Sequence, residues 1–439
     1  MNTIHEAAAA LRQGQVTPID LVEECLTNID RWESRVRAWV LIDRDGAREE
    51  AKLRTEELRR GQVRGPLHGI PIGIKDIFDV FDWPTAAGSK LWANSIARQD
   101  AEVVKCLREG GAIFLGKTVT TAYASFDPPV TRNPWNLEHT PGGSSSGSAA
   151  ALAVGMCLGA IGSQTGGSIN RPASYCGVAG LKPSFGLLSC KGVVPLAPSL
   201  DHPGPMARCV RDLALMLQVM EPGLPNFQTL LSGKVPPPRL GRLRGMFEDL
   251  AEPAVREMMD KVQWTLNKSL LKPVAEVAVP SSFGTILPDH RVVMSVEAAE
   301  FHQPRLRRHP DDYPPWVRTL LEEGLSCPAP VYSRCHEQQF AARGDIEDCL
   351  RDDIDVLILP ATTSPAPIAE TTGNPAFNSP WSYTGLPSLS FPTGQFANGL
   401  PLCIQLIGRW RDETELFKAA VWCEQALGVK GQWPVNTDR

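Results

Sequence analysis

Pro66-Leu-His-Gly-Ile-Pro-Ile-Gly-Ile-Lys-Asp-Ile77 is the stretch on which the fold turns. Ile70, Ile72 and Ile74 alternate with small or polar residues, a period of two that predicts a buried strand. Upstream the period changes. Ile4, Ala8 and Leu11, then Leu21, Val22, Cys25, Leu26 and Ile29, recur at helical spacing within residues 1–40. Thr17-Pro18 opens the second helix, with proline in its first turn. Residues 45–60 read as a charged helix stopped by Gly61. Downstream, a helix over 100–109 passes through Gly110-Gly111 into a strand over 112–115. Helix alternating with strand predicts an α/β sheet covered on both faces.

Farther along, residues 129–147 have loop composition, followed by a small-residue helix, a strand over 158–163 and a glycine-rich turn ending at Ser168. Strands are predicted over 354–359, 388–392 and 402–407, and a closing helix over 412–425. Residues 222–345 differ, being rich in proline and charge, with short helices over 252–268 and 314–323. The reading is one domain over 1–439. Its catalytic core comprises 66–220 and 350–430, and the variable 222–345 region shapes the substrate entrance.

Composition narrows the function. The chain has 439 residues, 43% hydrophobic and 21% charged, which is ordinary for a globular protein. A net charge of −5 supplies no basic field, so phosphate-neutralising nucleic-acid binding is disfavoured. None of the eleven cysteines stands at C-x-x-C spacing. Cys176, Cys190, Cys209, Cys327, Cys335 and Cys349 form no metal pattern, which fits free thiols in a reducing compartment. The most apolar stretch, 149–161, is too short to span a bilayer, and the N-terminus lacks signal-peptide architecture. The expectation is a cytoplasmic monomer or homodimer with no metal, cofactor, nucleic-acid or membrane partner.

Three segments carry chemistry. Gly142-Gly-Ser-Ser-Ser-Gly-Ser148 looks like a linker, yet it lies between apolar elements with no domain break beside it. Gly162-Ser-Gln-Thr-Gly-Gly-Ser168 places two glycines before a serine, which allows several N–H groups to converge as an oxyanion hole requires. Lys75 ends the isoleucine strand next to Asp76. Burial there would lower its pKa and leave a neutral amine able to act as a base. No histidine triad is apparent. Gly143-Ser-Ser-Ser-Gly147 lacks the downstream acid and histidine of a nucleophile elbow, and no phosphate loop is present.

Together these segments resemble the amidase signature family over nearly the whole chain. The likeness rests on Gly69 to Asp76, Thr85 to Ser89, Gly110 to Thr118, Asn133-Pro134, Gly142 to Ser148, Gly162 to Pro172, Cys176 to Pro183, Asp201 to Met206 and Phe377 to Pro387. It implies a mixed sheet between helical layers and a Ser–cis-Ser–Lys triad. In that triad Ser168 is the nucleophile, Ser144 the bridging serine after a cis peptide bond, and Lys75 the base. It also implies an oxyanion hole from the N–H groups of Thr165, Gly166, Gly167 and Ser168. Gly142, Gly143, Gln164, Arg171 and Trp381 are the candidate substrate-binding residues. The implied reaction is acyl transfer to water from a small-molecule amide, anilide, carbamate or urea-type bond.

The chain departs from the family where Asp usually stands four residues before the nucleophile and Arg two after it. Here those residues are Gln164 and Asn170, with Arg171 one step later. Two neutral amides in place of an ion pair predict neutral, partly apolar acyl groups, with Phe377 to Tyr383 as candidate walls. Two rivals stand beside this reading: the glutaminase component of a tRNA-dependent amidotransferase, and a catalytically inactive amidase-like binding protein.

Overall fold

A computed structural model describes residues 2–351, 353–429 and 431–434, so Met1, where the first predicted helical stretch begins, lies outside it. Among the described residues eleven strands form one mixed sheet: β1 (Trp39–Ile42), β2 (Pro71–Lys75), β3 (Ile113–Thr118), β4 (Gly159–Gln164), β5 (Ala179–Lys182), β6 (His202–Ala207), β7 (Leu240–Leu243), β8 (Ala275–Val277), β9 (Val356–Pro360), β10 (Ser388–Ala397) and β11 (Leu400–Ile407). Their order is β1-β3-β2-β4-β6-β5-β10-β11-β9-β7-β8. β2 runs parallel to both β3 and β4, and β7 parallel to both β8 and β9, while the remaining neighbours are antiparallel. Every residue of β2, β4, β9 and β11 is buried, as strands covered on both faces must be. The predicted single α/β domain with a mixed sheet between helices is therefore observed.

The N-terminal segment folds as two helices, Ile4–Arg12 and Pro18–Val36, broken as the Thr17-Pro18 signal predicts. Thr17 and Asp20 form a reciprocal capping box there. β1 follows where the sequence predicts only helix, and β5, β6, β7 and β8 are likewise absent from the predicted strands. β6 hides behind its own composition, because Pro203 and Pro205 argue against an interior strand. It pairs with β4 over its whole length, but with β5 only at Met206 and Ala207, past both prolines.

The short helices predicted in 222–345 need correction. The helices Pro253–Asn267 and Pro315–Ser326 match the two predicted ones, but Ile286–Arg308 and Ala329–Cys349 are long. The first carries Pro288 near its start and Pro304 near its end, which breaks up the helical signal. The second buries Cys335, Gln339, Ala342 and Ile346 at helical spacing, too polar a stripe to read as apolar. All eleven cysteines are free thiols. No helix among the described residues is long and apolar enough to cross a membrane.

Candidate active site

β2 and β4 are adjacent and parallel, with Ile74 opposite Ile161, so both chains leave the sheet at the same edge. That puts Lys75 and Ser163 together, at the carboxyl ends of strands, where α/β sheets gather their ligand sites. Strand alternation turns Lys75 to the face opposite Ile72 and Ile74. Its Nζ donates to Ser144 Oγ at 2.7 Å and to Ser163 Oγ at 2.8 Å. Lys75 is fully buried, and desolvation drives its pKa well below the usual lysine value, against a smaller upward pull from Asp201. The adjacent Asp76 does not neutralise it. The Asp76 carboxylate pairs instead with Lys117 at 2.9 Å, both side chains buried. Among the described residues Lys75 thus has hydroxyl hydrogen-bond partners only, which is the environment a neutral amine needs.

Ser144 is held by the loop that precedes the all-buried helix Ser146–Ala153. The Gly143–Ser144 peptide bond is cis. Two glycines are required by space and backbone. Gly142 has φ +82° and a Cβ there would lie 2.8 Å from Pro172 Cα. A Cβ on Gly147 would meet the Ala38 carbonyl oxygen at 2.2 Å. The loop is tied to the turn that carries Ser168, since the Ser145 N–H donates to the Ser168 carbonyl at 3.3 Å.

The turn 165–168 owes its form to Gln164. This side chain is buried, and its Oε1 accepts from the N–H groups of both Ile169 (2.9 Å) and Asn170 (3.0 Å). Its Nε2 therefore donates, to Ser382 Oγ at 3.3 Å. Among the described residues, no hydrogen bond uses the N–H of Gly166, Gly167 or Ser168. Three consecutive amide donors are left unspent beside the Ser168 hydroxyl. Asn170 turns away from them, its Nδ2 donating to Ser388 Oγ at 2.7 Å.

Thr165, Gly166, Gly167, Ser168 and Arg171 line one cavity of about 290 Å³. Its other walls include Phe126, Leu196, Leu287, Met294 and Trp316. Gly142, Gly143, Gln164 and Trp381, candidates for substrate binding on sequence grounds, do not line it. Gln164 is spent on the turn, and the two glycines shape the Ser144 loop. Trp381 is core: wholly buried, stacked on Phe247 at 5.7 Å, its indole N–H donated to the Phe377 carbonyl. Arg171 is at the wall. Its Nη2 donates to the Gly143 carbonyl (2.8 Å) and Thr372 Oγ1 (3.2 Å), its Nη1 to the Gly373 carbonyl (3.0 Å). No carboxylate pairs with it among the described residues, and burial lowers its pKa to about 10.

Sequence reasoning misses several neighbours. Ser163 is visible there only as a polar residue in a buried strand. Asp201, pushed up to about 6 by burial, accepts from the Thr165 hydroxyl and from the N–H groups of Leu196 and Ala197. His290 stands in no sequence pattern that links it to a nucleophile. It lines the cavity, and its Nε2 lies 2.9 Å from the Thr165 carbonyl oxygen.

The chain is similar to known proteins throughout. The family model Amidase matches residues 20–417. A glutamyl-tRNA(Gln) amidotransferase subunit from Roseiflexus sp. is 33% identical, over 95% of this chain and 94% of that protein. A putative amidase, AmiD, from Mycobacterium tuberculosis is 32% identical, over 98% and 95%. Among solved structures, the peptide amidase of Stenotrophomonas maltophilia superposes with a TM-score of 0.86 at 28% identity, covering 100% of this chain and 99% of that one. A chain of a vestigial protein complex described as revealing the evolutionary origins of an s-triazine catabolic enzyme has a TM-score of 0.90 at 32% identity, covering 98% of this chain and 99% of that one. A sheet edge that sets a buried lysine on two hydroxyl groups, and likeness over almost the entire length, lead to one conclusion: this chain belongs to the amidase family and is an amidohydrolase acting on amide C–N bonds.

Proposed function

We propose that Ser168, Ser144 and Lys75 carry out this hydrolysis as nucleophile, bridging serine and base. The observation that carries the reading is the buried Lys75 amine on Ser144 Oγ beside three unspent amide donors. Neutral Lys75 accepts the Ser144 proton as Ser144 accepts that of Ser168. Ser168 Oγ then bonds to the substrate carbonyl carbon. The carbonyl π pair moves onto oxygen, which the N–H groups of Thr165, Gly166, Gly167 and Ser168 hold. Collapse breaks the C–N bond, and the relayed proton leaves with the amine. Water, deprotonated by the same relay, cleaves the acyl enzyme. The test is labelling with a serine-directed fluorophosphonate. The adduct maps to Ser168, and folded Ser168→Ala loses both labelling and turnover. A folded Ser168→Ala with near-normal activity overturns the assignment.

The acyl group occupies the cavity, with residues 222–345 supplying the far wall through Leu287, Met294 and Trp316. These apolar side chains support amides, anilides or carbamates with neutral, partly apolar acyl groups. A specific observation favours a second reading. Arg171 brings a buried cation without a carboxylate partner to the same wall, a setting that would suit an acyl group bearing its own carboxylate. Matched neutral and carboxylate-bearing substrates decide. A kcat/KM preference of about tenfold for the anionic member, near 1.4 kcal/mol, points to Arg171 or another cation lining the cavity, such as Arg291, and its loss in Arg171→Met selects Arg171. The similarity to glutamyl-tRNA(Gln) amidotransferases supports a further rival, delivery of ammonia to a partner protein, which copurification of a large second chain would reveal.

A further inference from the structure

Two side chains outside the proposed triad grip consecutive peptide groups of the 165–168 turn. A peptide unit is planar, so the carbonyl of one residue and the N–H of the next move as one body. The Thr165 carbonyl shares its plane with the Gly166 N–H, and it accepts a hydrogen bond from His290 at 2.9 Å. The Gly166 carbonyl shares its plane with the Gly167 N–H, and it accepts from Ser382 Oγ at 2.9 Å. We infer that His290 and Ser382 are positioning residues, which aim and polarise the Gly166 and Gly167 N–H groups at the oxyanion. This inference rests on the reading of Ser168 as nucleophile.

The proton inventory supports it. A carbonyl only accepts, so His290 Nε2 carries the hydrogen. The ring is buried, and burial lowers its pKa to about 4, so the neutral Nε2–H tautomer persists while Lys75 is neutral. Ser382 Oγ accepts from Gln164 Nε2, which leaves the Ser382 proton free for the Gly166 carbonyl. A carboxylate at position 164 could not donate this way. The uncharged Gln164 therefore has a use: it directs the Ser382 hydroxyl. Hydrogen bonding at a carbonyl also strengthens donation by the N–H of the same amide. His290 lies in the region 222–345 and Ser382 on the helix Ser379–Thr384, so the oxyanion amides are gripped from two separate parts of the fold.

The test compares His290→Ala and Ser382→Ala with His290→Gln and Ser382→Thr, which retain a donor. The readouts are the rate of Ser168 labelling by a neutral alkyl fluorophosphonate and turnover of a neutral acyl anilide. The alanine variants are expected to lose about tenfold or more in labelling rate and kcat, less than removal of an oxyanion donor itself, with KM within about twofold. Their rise of activity with pH keeps its midpoint, and the donor-retaining variants recover to within about threefold of wild type. Unchanged rates in the alanine variants, a loss confined to KM, a shifted pH midpoint, or equal damage in the donor-retaining variants would each overturn the inference. Should the alanine variants not fold, ¹⁵N resonances of His290 in the wild-type adduct decide. A protonated Nε2 with bare Nδ1 supports the inference, and the opposite tautomer overturns it. Labelling that persists in folded Ser168→Ala defeats the underlying reading, whereas normal labelling of Ser168 in the alanine variants defeats only this one.

Discussion

The turn 162–171 and the helix Ile286–Arg308 face each other across one cavity, and they are built in opposite ways. The turn is made of small residues and held by a dense set of short hydrogen bonds, many to neighbours in sequence, as when Gln164 binds the N–H groups of Ile169 and Asn170. The helix presents Leu287 and Met294 to the cavity and reaches the turn through one hydrogen bond among the described residues, from His290. Geometry for bond breaking must be held to within fractions of an ångström, which directional bonds achieve. A wall that receives an acyl group needs only shape and apolar area, which many sequences provide. The contrast predicts that changes in the turn act on rate and changes in the helical region act on selectivity.

The largest effects should come from the proposed relay of Lys75 and Ser144 behind the turn. Lys75→Ala and Ser144→Ala are expected to lower kcat by about 10³-fold or more while the circular dichroism spectrum persists. Lys75→Arg should be nearly as inactive, because a guanidinium keeps its charge and offers no neutral form. In the wild type, burial lowers the folded-state pKa of Lys75, so the amine is already neutral at a pH where a free lysine is charged. Activity should therefore climb with pH through that lowered value and level off before the ordinary lysine range. A profile flat in this window, or an active Lys75→Arg, removes Lys75 as the base.

Next in size is a substitution within the turn. A Cβ on Gly167 would stand 2.8 Å from Asn378 Oδ1 and 3.1 Å from Asn378 Cβ, so Gly167→Ala must displace the turn or its neighbour. A loss of about 10²-fold in kcat is expected, comparable to removing an oxyanion donor, with KM little changed. A smaller effect is expected across the cavity. Trp316→Ala should reduce the preference for larger over smaller apolar acyl groups by about three- to tenfold, chiefly through KM. If kcat fell instead, the division between the two regions would be wrong. The smallest effect is expected at Gly344, inside the helix Ala329–Cys349, where an added Cβ meets nothing within 4 Å. Gly344→Ala should stabilise by about 0.5–1 kcal/mol, read as a higher urea midpoint with unchanged slope, and leave kcat/KM as it was.

How much of this is legible in the sequence follows the same division. β2, β4, β9 and β11 can be read because burial on both faces demands apolar or small residues at nearly every position, Lys75, Gln164 and Gln405 being the exceptions. β7 and β8 are short, lie at the end of the sheet and carry Arg242 and Glu276, so nothing in their composition separates them from loop. In the proposed site, the two glycine-rich serine turns are legible because glycine spacing and hydroxyl clustering are local features, whereas Lys75 and Ser144 are singled out only by the resemblance to the amidase signature family. Trp381 is misplaced by sequence because an aromatic near a catalytic pattern looks the same whether it faces a cavity or, as here, Phe247 and Phe283.

By itself, then, the sequence determined the α/β class and the positions of the glycine-rich turns, since these depend on backbone periodicity and side-chain chemistry within a few residues. Only the tertiary structure decided that Asp76 serves Lys117 and leaves Lys75 to hydroxyl groups, that Gln164 is spent inside the turn, that Arg171 rather than Trp381 reaches the cavity, and that His290, far along the chain, grips the Thr165 carbonyl. Each of those choices is a contact between segments distant in sequence, set by strand order and helix packing, and no local pattern of residues encodes which partner wins.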